Sequence, residues 1–191
     1  MNKIILASGS PRRKEVLENI GLDFVIAKSD YEEDMTLDME PEKLAEFLSL
    51  GKAKDVAKRH TDAIIIAADT LVVLDHHLLG KPSTKEIARE TLQIISGQTI
   101  NVITGYTIID TTNNKIITKS VTTQVVMKEI TEDEITAYVK TDEPMDKAGA
   151  FGIQGHGALL VKEIHGDYYN VMGLPLFSLT QSLKEFNITL L

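Results

Sequence analysis

The strongest constraint on the fold is a long run of apolar residues in the first half of the chain. Residues 63–68 read AIIIAA, and the apolar character resumes over residues 71–74, which read LVVL. Because successive side chains of a strand point to opposite faces of a sheet, a strand without polar alternation must be covered on both faces. Elsewhere, apolar runs of strand length alternate with helical patterns. The sequence therefore predicts an α/β fold.

Length and composition are compatible with one domain. The chain has 191 residues, of which 43% are hydrophobic, and a chain of this size buries roughly 70% of its unfolded surface. No linker, internal repeat or low-complexity tract interrupts the sequence. We therefore expect a single domain over residues 1–191.

Composition also disfavours several classes of function. The absence of cysteine excludes disulfides and thiolate metal sites, and a formal net charge of −8 argues against a nucleic-acid polymer as partner. No apolar stretch suits a membrane span, and no basic-then-apolar signal precedes the first strand. We predict a cytoplasmic protein that binds neither membrane nor nucleic acid. A small anion held by a few local cations remains compatible with this charge.

The best candidate for an anion site is the hexapeptide SGSPRR at residues 8–13, between a predicted strand and a predicted helix. Ser10 can cap the helix, and Pro11 suits its first position because that N–H has no intrahelical partner. The free N–H groups of the first turn would then point into the loop, beside Arg12 and Arg13. This pattern favours phosphate slightly over an ordinary helix start with solvated arginines. Its spacing is neither that of a P-loop nor that of a dinucleotide fold.

Asp69 is the most informative single residue, because it interrupts the long apolar run. Burying an unpaired carboxylate would cost several kcal/mol or force its protonation. We therefore predict that Asp69 meets a cation, a metal ion or several hydrogen-bond donors. The alternative is a turn capped by Asp69, which the lack of Gly, Pro or Asn nearby makes less persuasive. Residues beyond the carboxyl end of a strand line the ligand crevice of open α/β sheets, so Asp69 is expected to face the same cleft as residues 8–13.

A lysine takes an apolar place on the predicted helix over residues 41–59. Leu44, Leu48 and Val56 form one stripe of this helix, and Lys52 occupies the position between the last two. The lysine side chain can extend outward to water, or it can point inward at an anion that offsets its desolvation. The sequence favours neither interpretation.

Two other charged features are weaker signals. Residues 29–34 read SDYEED, an acidic loop that alone is better explained by solvation than by Mg²⁺ binding. Lys81 follows Gly80 and precedes a helix that Ser83 and Glu86 are predicted to open as a capping box. Lys81 alone would be a surface residue.

The second half of the chain supplies a scaffold and one further candidate. Residues 99–110 and 115–128 are rich in Val, Ile and Thr and predict a long hairpin. Residues 143–157 are rich in glycine but also apolar, which indicates a packed loop against which a ligand can lie. Within it, Gln154 can read the edge of a uracil or thymine ring, or satisfy nearby backbone groups as a buried glutamine. A Tyr-Tyr pair at residues 168–169 is compatible with core, interface or base stacking.

Five sequence blocks in a fixed order are far more specific than any of these signals alone. They are SGSPRR at 8–13, AADT at 67–70, GKP at 80–82, DKAGAFGIQG at 146–155 and NVMGLPL at 170–176. In this order they resemble the Maf family of nucleoside triphosphate pyrophosphatases, and the resemblance covers nearly the whole chain.

This resemblance implies both a fold and a reaction. The fold is α/β, related to that of inosine triphosphatases, with an elongated mixed β-sheet flanked by helices and two lobes around a central cleft. The reaction is hydrolysis of a nucleoside triphosphate between its α and β phosphates, giving the monophosphate and pyrophosphate with a divalent cation, Mg²⁺ or Mn²⁺. The resemblance also implies a homodimer in the cytoplasm.

The resemblance further assigns roles to individual residues. Asp69 corresponds to the catalytic proton acceptor and, with Glu33, to the metal-binding carboxylates. The specificity positions fall on Arg12, Thr70 and Gln154, as in the branch of the family that acts on dTTP and UTP, rather than the branch that acts on 7-methyl-GTP. The phosphate-binding positions are expected to be Ser8, Ser10, Arg12, Arg13, Lys52 and Lys81.

Two departures from the family pattern and two alternative functions accompany this assignment. Ile100 stands where the family usually has histidine, and Glu32 precedes Glu33 in place of the usual Asp-Glu pair. The first puts a role for that histidine ring in doubt, and the second lengthens one candidate metal ligand. The alternatives are a non-catalytic nucleotide-binding regulator of septum formation and an enzyme like inosine triphosphatase. Pyrophosphate release from dTTP or UTP would distinguish an enzyme from the non-catalytic regulator. The rate on dITP relative to dTTP would distinguish the two enzymes from each other.

Overall fold

The computed structural model describes residues 3–191. Its helices are α1 (Pro11–Asn19), α2 (Pro41–Ala57), α3 (Lys85–Ile95), α4 (Glu132–Val139), α5 (Tyr168–Val171) and α6 (Leu176–Lys184). Its strands are β1 (Lys3–Leu6), β2 (Val25–Ile26), β3 (Ala63–Leu74), β4 (His77–Leu78), β5 (Thr99–Asp110), β6 (Lys115–Met127) and β7 (Val161–His165). Short 3₁₀ turns occupy Glu143–Asp146, Ala148–Ala150 and Gly155–Leu160.

The strands form one mixed seven-stranded sheet in the order β2-β1-β3-β5-β6-β7, with β4 paired to β3. The pairings of β1 with β2 and β3 are parallel, and the others are antiparallel. Strands β3, β5 and β6 have 12 or 13 residues each, which corresponds to about 40 Å of extended chain. The predicted α/β class and elongated mixed sheet are thus confirmed.

Strand β3 is the centre of this sheet, and its two faces meet different helices. Ile65 and Ala67 pack in one cluster with α2, whereas Ile66 and Ala68 pack in another with α1 and α6. Because side chains alternate along a strand, Asp69 belongs to the α2 face and the next residue to the other face. This alternation determines which helix can contact each polar residue of β3.

Apolar clusters also form on both sides of the predicted cleft. One contains buried side chains of α3, α4, the 3₁₀ turns and the first half of β5, and a second contains those of α1, α6 and the second half of β5. The long strands β3 and β5 contribute to both. The residues between the clusters on β3 include Asp69, which places it in the middle of the molecule.

The structure corrects three local predictions. Strand β3 continues through Asp69 without a turn, so the alternative of an aspartate-capped turn is wrong. The apolar character of residues 22–27 predicts a strand over that whole segment, but β2 contains only Val25–Ile26. Helix α3 is capped by Thr84, whose hydroxyl accepts from the N–H of Ile87, and not by Ser83.

Other predictions agree with the structure. The long hairpin is formed by β5 and β6, which pair along their whole length. The apolar stripe of α2 is buried, as expected for Leu44, Leu48 and Val56. None of the helices within residues 3–191 has the length and apolar character needed to cross a membrane.

Candidate functional site

A cleft of about 660 Å³ opens over the middle of β3. All ten predicted site residues line it, although they come from segments spread over most of the chain: Ser8, Ser10, Arg12, Arg13, Glu33, Lys52, Asp69, Thr70, Lys81 and Gln154. Folding therefore brings the predicted cations and carboxylates to one surface. Their chemical roles remain predictions.

The loop at residues 8–13 has the predicted conformation. Ser10 is the N-cap of α1 and its hydroxyl accepts from the N–H of Arg13 at 3.5 Å, with Pro11 in the first turn. Ser8 is buried, and its hydroxyl accepts from the N–H of Ser10 at 3.2 Å. Strand β1 thus leads directly into a helix whose positive end faces the cleft.

Lys52 points inward from α2 and contacts two carboxylates. Its ammonium donates to Asp69 Oδ1 and lies 2.8 Å from Glu33 Oε1. The side chains of Lys52 and Asp69 are only 13% and 8% exposed, whereas that of Glu33 is 43% exposed. The structure decides between the two interpretations of Lys52, because the buried lysine offsets its desolvation with the two anions.

Arg13 approaches β3 from the face opposite Lys52. Its guanidinium donates to Gly173 O at 2.8 Å, Ala68 O at 2.8 Å, Ser8 Oγ at 3.2 Å and Thr70 Oγ1 at 2.9 Å. Burial lowers the pKa of Arg13, and the negative charge of Asp69 opposes this effect. Arg13 therefore connects the N-terminal loop, β3 and the segment after α5.

The opposite wall of the cleft adds charges to which the sequence assigned no role. Asp146 lies 3.8 Å from Arg12 and 2.7 Å from the ammonium of Lys147. Partial burial acts to raise the pKa of Asp146, but the hydrogen bond from Lys147 and the nearby cations outweigh it and lower that pKa. Lys81 lines the same cleft and is exposed. The motif at residues 146–155 contained both Asp146 and Lys147, but nothing in the sequence showed that Asp146 lies beside Arg12.

Gln154 contacts a residue that the sequence did not single out. Its Nε2 donates to Glu15 Oε1 of α1 at 3.3 Å. An ionised carboxylate only accepts hydrogen bonds, so this neighbour orients the amide with Nε2 toward Glu15 and leaves Oε1 for another donor. Apolar side chains also line this cleft, among them Phe151, Ile153 and Met172.

The glycine-rich loop is held by the carboxylate of Glu143. This group accepts from the hydroxyl of Tyr138 at 3.0 Å and from the N–H groups of His156 and Gly157 at 2.9 Å each. Partial burial acts to raise the pKa of Glu143, but these hydrogen bonds prevail and lower it. The loop is packed as predicted, and Glu143 supplies an internal anchor for its backbone.

The carboxylates fit a divalent cation only in part. Within residues 3–191, no group of three or more His, Asp or Glu side chains converges on a common point. Asp69 and Glu33 do converge, with the ammonium of Lys52 between them. Mg²⁺ is commonly bound by one or two carboxylates together with substrate phosphates and water. This donor set therefore suits a cation that arrives with a polyphosphate.

Three remaining expectations concern residues away from this pair. Of the acidic loop, only Glu33 lines the cleft. Ile100 is fully buried in the apolar cluster around α3, so its position does not contribute to the cleft wall. Tyr168 and Tyr169 are 42% and 40% exposed and lie outside the cleft lining, which disfavours both core packing and stacking on a base in the cleft.

The chain is similar to known proteins over nearly its whole length. The family model described as Maf-like protein matches residues 3–186. A dTTP/UTP pyrophosphatase of Methanococcoides burtonii is 51% identical over 191 residues, covering 100% of this chain and 98% of that protein. Proteins of the same name from Bacillus anthracis and Bacillus cereus are 49% and 48% identical over 188 residues, covering 98% of this chain and 97% of each relative.

Proposed function

This chain belongs to the Maf-like family, and on that premise we propose that it is a nucleoside triphosphate pyrophosphatase that hydrolyses dTTP and UTP. The products would be the nucleoside monophosphate and pyrophosphate. The relatives that carry this name match along their whole length at about half identity. The resemblance of the five sequence blocks leads to the same substrates.

One observation carries the proposal. A single cleft holds the buried Asp69, two further carboxylates and cations from four segments of the chain, which are represented by Arg12, Lys52, Lys81 and Lys147. This arrangement suits a polyphosphate, whose negative charge would be distributed among the cations while the carboxylates bind a metal ion or accept a proton. A cleft built for a neutral ligand would have no use for this density of opposite charges.

The cations and backbone donors would bind the phosphates. Arg12 presents a planar guanidinium that can contact two phosphate oxygens, and Lys52 and Lys81 act as point charges. Because Pro11 has no N–H and that of Arg13 donates to Ser10 Oγ, the N–H of Arg12 would be the first-turn donor that completes the phosphate site. Arg13 adds positive charge to the same region. When phosphate enters, Lys52 can exchange its carboxylate contacts for phosphate oxygens.

Asp69 would act as the proton acceptor for a water that attacks the α-phosphorus. In-line attack on this atom expels pyrophosphate, and the proton released by the water passes to the Asp69 carboxylate. A divalent cation bound by Asp69, Glu33 and the phosphates would supply charge neutralisation and acidify the water. We propose Mg²⁺ or Mn²⁺ for this cation.

The orientation of Gln154 suits a uracil or thymine ring. With Nε2 directed at Glu15, Oε1 can accept from the N3–H of either base. Cytosine carries an acceptor at N3. Its nitrogen lone pair would face the lone pairs of Gln154 Oε1, and no hydrogen bond could form. We propose that Gln154 thereby favours dTTP and UTP, together with Arg12 and Thr70.

The test is a substrate panel of dTTP, UTP, dCTP, dITP and 7-methyl-GTP with Mg²⁺ or Mn²⁺, in which both products are identified. We expect dTTP and UTP to react fastest, and Asp69→Asn to fold normally but lose nearly all turnover. Absence of pyrophosphate release from every nucleotide would instead support a binding protein. A higher rate on dITP would support an enzyme like inosine triphosphatase.

We also propose that the chain forms one domain, assembles as a homodimer and acts in the cytoplasm. The single domain is inferred from length and composition, the cytoplasmic location from composition and the family resemblance, and the dimer from the resemblance alone. Light scattering coupled to gel filtration measures the mass in solution, and a mass near twice 21.1 kDa is expected.

A further inference from the structure

Arg13 is bound to the protein at nearly all of its donor positions. A guanidinium has five N–H groups, and those of Arg13 make four hydrogen bonds, to Gly173 O, Ala68 O, Ser8 Oγ and Thr70 Oγ1. At most one N–H is left for a ligand. A side chain with its donors committed in this way is a poor candidate for a bidentate grip on phosphate.

Two of these acceptors flank the proposed proton acceptor in the sequence. Ala68 and Thr70 are the neighbours of Asp69 on β3, and Arg13 contacts the carbonyl of the first and the hydroxyl of the second. The hydroxyl of Thr70 is also within 3.0 Å of that of Thr104 on β5. Arg13 therefore holds β3 on both sides of Asp69, through the main chain at Ala68 and through the side chain at Thr70.

The Arg13 guanidinium donates to a main-chain carbonyl of β3 that lies beyond the end of the pairing with β1. Strand β1 pairs with β3 as far as Ile66, whose carbonyl accepts from the N–H of Ala7 at 2.7 Å. The carbonyl of Ala68 points to the same edge, since alternate residues of a strand share an edge. There β1 has already turned away into its loop, and Arg13 supplies the donor. Further along, the carbonyl of Val72 is again satisfied by backbone, from Leu79 at 2.8 Å.

The contact with Gly173 completes this clamp. Gly173 has a φ of +102°, and a Cβ there would lie 3.2 Å from Thr70 Oγ1 and 3.5 Å from Arg13 Nε. A glycine at this position permits both the left-handed backbone and the close approach of the guanidinium. The segment after α5 is thus tied to β3 through Arg13.

We infer that Arg13 is a positioning residue that fixes the main chain around Asp69, and that phosphate binding is carried by the other cations. Asp69 contacts Lys52 on one face of β3, and Arg13 secures the strand from the other face. This inference rests on the proposed function for the role of Asp69, but the clamp itself is a property of the protein without nucleotide.

The experiment compares Arg13→Lys with Arg12→Lys, the same change one residue away on the same helix. Each variant is assayed for kcat and KM on dTTP, and for affinity to the non-hydrolysable α,β-imido analogue of dTTP by calorimetry. Lysine is itself a good phosphate ligand but cannot make the four contacts of Arg13. We expect Arg13→Lys to lower kcat by roughly 100-fold, since small displacements of a catalytic group have effects of this size, with analogue affinity within about threefold of wild type. Arg12→Lys is expected to act mainly on KM and affinity.

Hydrogen exchange of the nucleotide-free protein tests the clamp without any activity measurement. In Arg13→Lys, the amides of residues 66–72 should lose protection while those of β6 keep it. Unchanged protection over residues 66–72, or a loss confined to analogue affinity, would overturn the inference. If the wild-type protein releases no pyrophosphate, the proposed function fails, whereas the exchange result still decides the role of Arg13.

A second variant covers the case in which Arg13→Lys does not fold. Thr70→Val keeps the shape of the side chain but removes one acceptor of the clamp, and Thr70→Ser retains the hydroxyl. We expect severalfold lower kcat and faster exchange around Asp69 for Thr70→Val, with recovery in Thr70→Ser. Equal behaviour of the two variants would contradict the inference.

Discussion

At the residue scale, the site is organised by the contact of Lys52 with Asp69 and Glu33. Lys52 and Asp69 are the two more buried of these side chains. Burying either charge without the other would be unfavourable, because a desolvated charge needs an opposite charge close by. The ammonium also lies between the two carboxylates that are proposed to bind a divalent cation. A divalent cation at these carboxylates would therefore compete with Lys52, and a bound phosphate would relieve this competition by attracting the lysine.

This competition predicts that Lys52→Met binds Mn²⁺ more tightly than wild type in the absence of nucleotide, although it loses turnover. Removing the positive charge should raise affinity by about tenfold, equivalent to ~1.4 kcal/mol. Paramagnetic resonance of free Mn²⁺ during a titration measures the effect. Lys54→Met, on the exposed side of the same helix, makes the same change in net charge and should bind Mn²⁺ as wild type does. Weaker binding by Lys52→Met would contradict the assignment.

The pair of Glu15 and Gln154 predicts an effect on base selection. Without the carboxylate, the Gln154 amide can rotate and offer Nε2 to the acceptor at N3 of cytosine. Glu15→Ala should therefore reduce the preference for dTTP over dCTP by roughly 2- to 10-fold, the range expected from one hydrogen bond of about 0.5–1.5 kcal/mol.

The ratio of kcat/KM values for the two nucleotides measures this preference. Glu18→Ala is a suitable control, because Glu18 lies on the same helix and pairs with Lys14. A preference in Glu15→Ala equal to that of the control would show that Glu15 does not orient the amide.

At the element scale, the position of Lys52 depends on how closely α2 packs against β5. Gly105 of β5 is the cross-strand partner of Asp69, and it lies directly beneath the backbone of Ala45 on α2. A side chain at this position would hold the helix away from the sheet. The absence of one therefore lets the lysine of α2 reach the aspartate of β3.

This packing predicts that Gly105→Ala is strongly destabilising. The added Cβ would lie 2.2 Å from the carbonyl carbon and oxygen of Ala45, so the backbone of α2 must move. Overpacking of this kind costs about 1–3 kcal/mol and occasionally more. Chemical denaturation measures the loss.

A matched glycine elsewhere provides the control for this prediction. A Cβ added at Gly80 would have no heavy atom within 4 Å, so Gly80→Ala should change the free energy of unfolding by less than about 0.5 kcal/mol. If the two variants lost similar free energies of unfolding, the contact with α2 would not be the reason why Gly105 cannot carry a side chain.

At the scale of the whole molecule, folding shifts the pKa values of six carboxyl groups in the same direction. Their pKa values are lowered in the folded state, for Asp34, Asp55, Glu86, Glu134, Glu143 and Asp146. The hydrogen bond from Lys128, assisted by that of the Thr131 N–H, lowers the pKa of Glu134 to about 2. At low pH the unfolded chain therefore binds more protons than the folded protein does.

These shifts predict that stability falls as the solution is acidified. A lowered pKa contributes stability that is present above the ordinary values, 3.8 for aspartate and 4.5 for glutamate, and is lost as pH falls through the folded values. Denaturation midpoints should be nearly constant from pH 7 to about pH 5 and decline below it. Glu134→Gln should show a shallower decline between about pH 4.5 and pH 2. A midpoint that rises on acidification would contradict the prediction.

The sequence predicted which residues form the site, but not the contacts that hold them in position. The apolar run around Asp69 predicted a buried strand and, for its carboxylate, a cation, a metal ion or several hydrogen-bond donors. The capped helix start at residues 8–13 was also predictable, because capping is a local property. The five ordered blocks identified the family and, with it, ten residues that all line one cleft. Those inferences needed no knowledge of distances.

Only the tertiary structure decided the partners. Whether Lys52 points to water or to Asp69, whether Arg13 is free or committed, and which carboxylate meets Gln154 all depend on contacts between segments distant in the chain. The alternation of side chains along β3 assigns Asp69 to the face of α2 and Thr70 to that of α1, but the sequence does not say which helix covers which face. The type of each residue determines which charge or hydrogen-bond partner its side chain requires when buried. The packing of the helices on the sheet determines which residue supplies that partner.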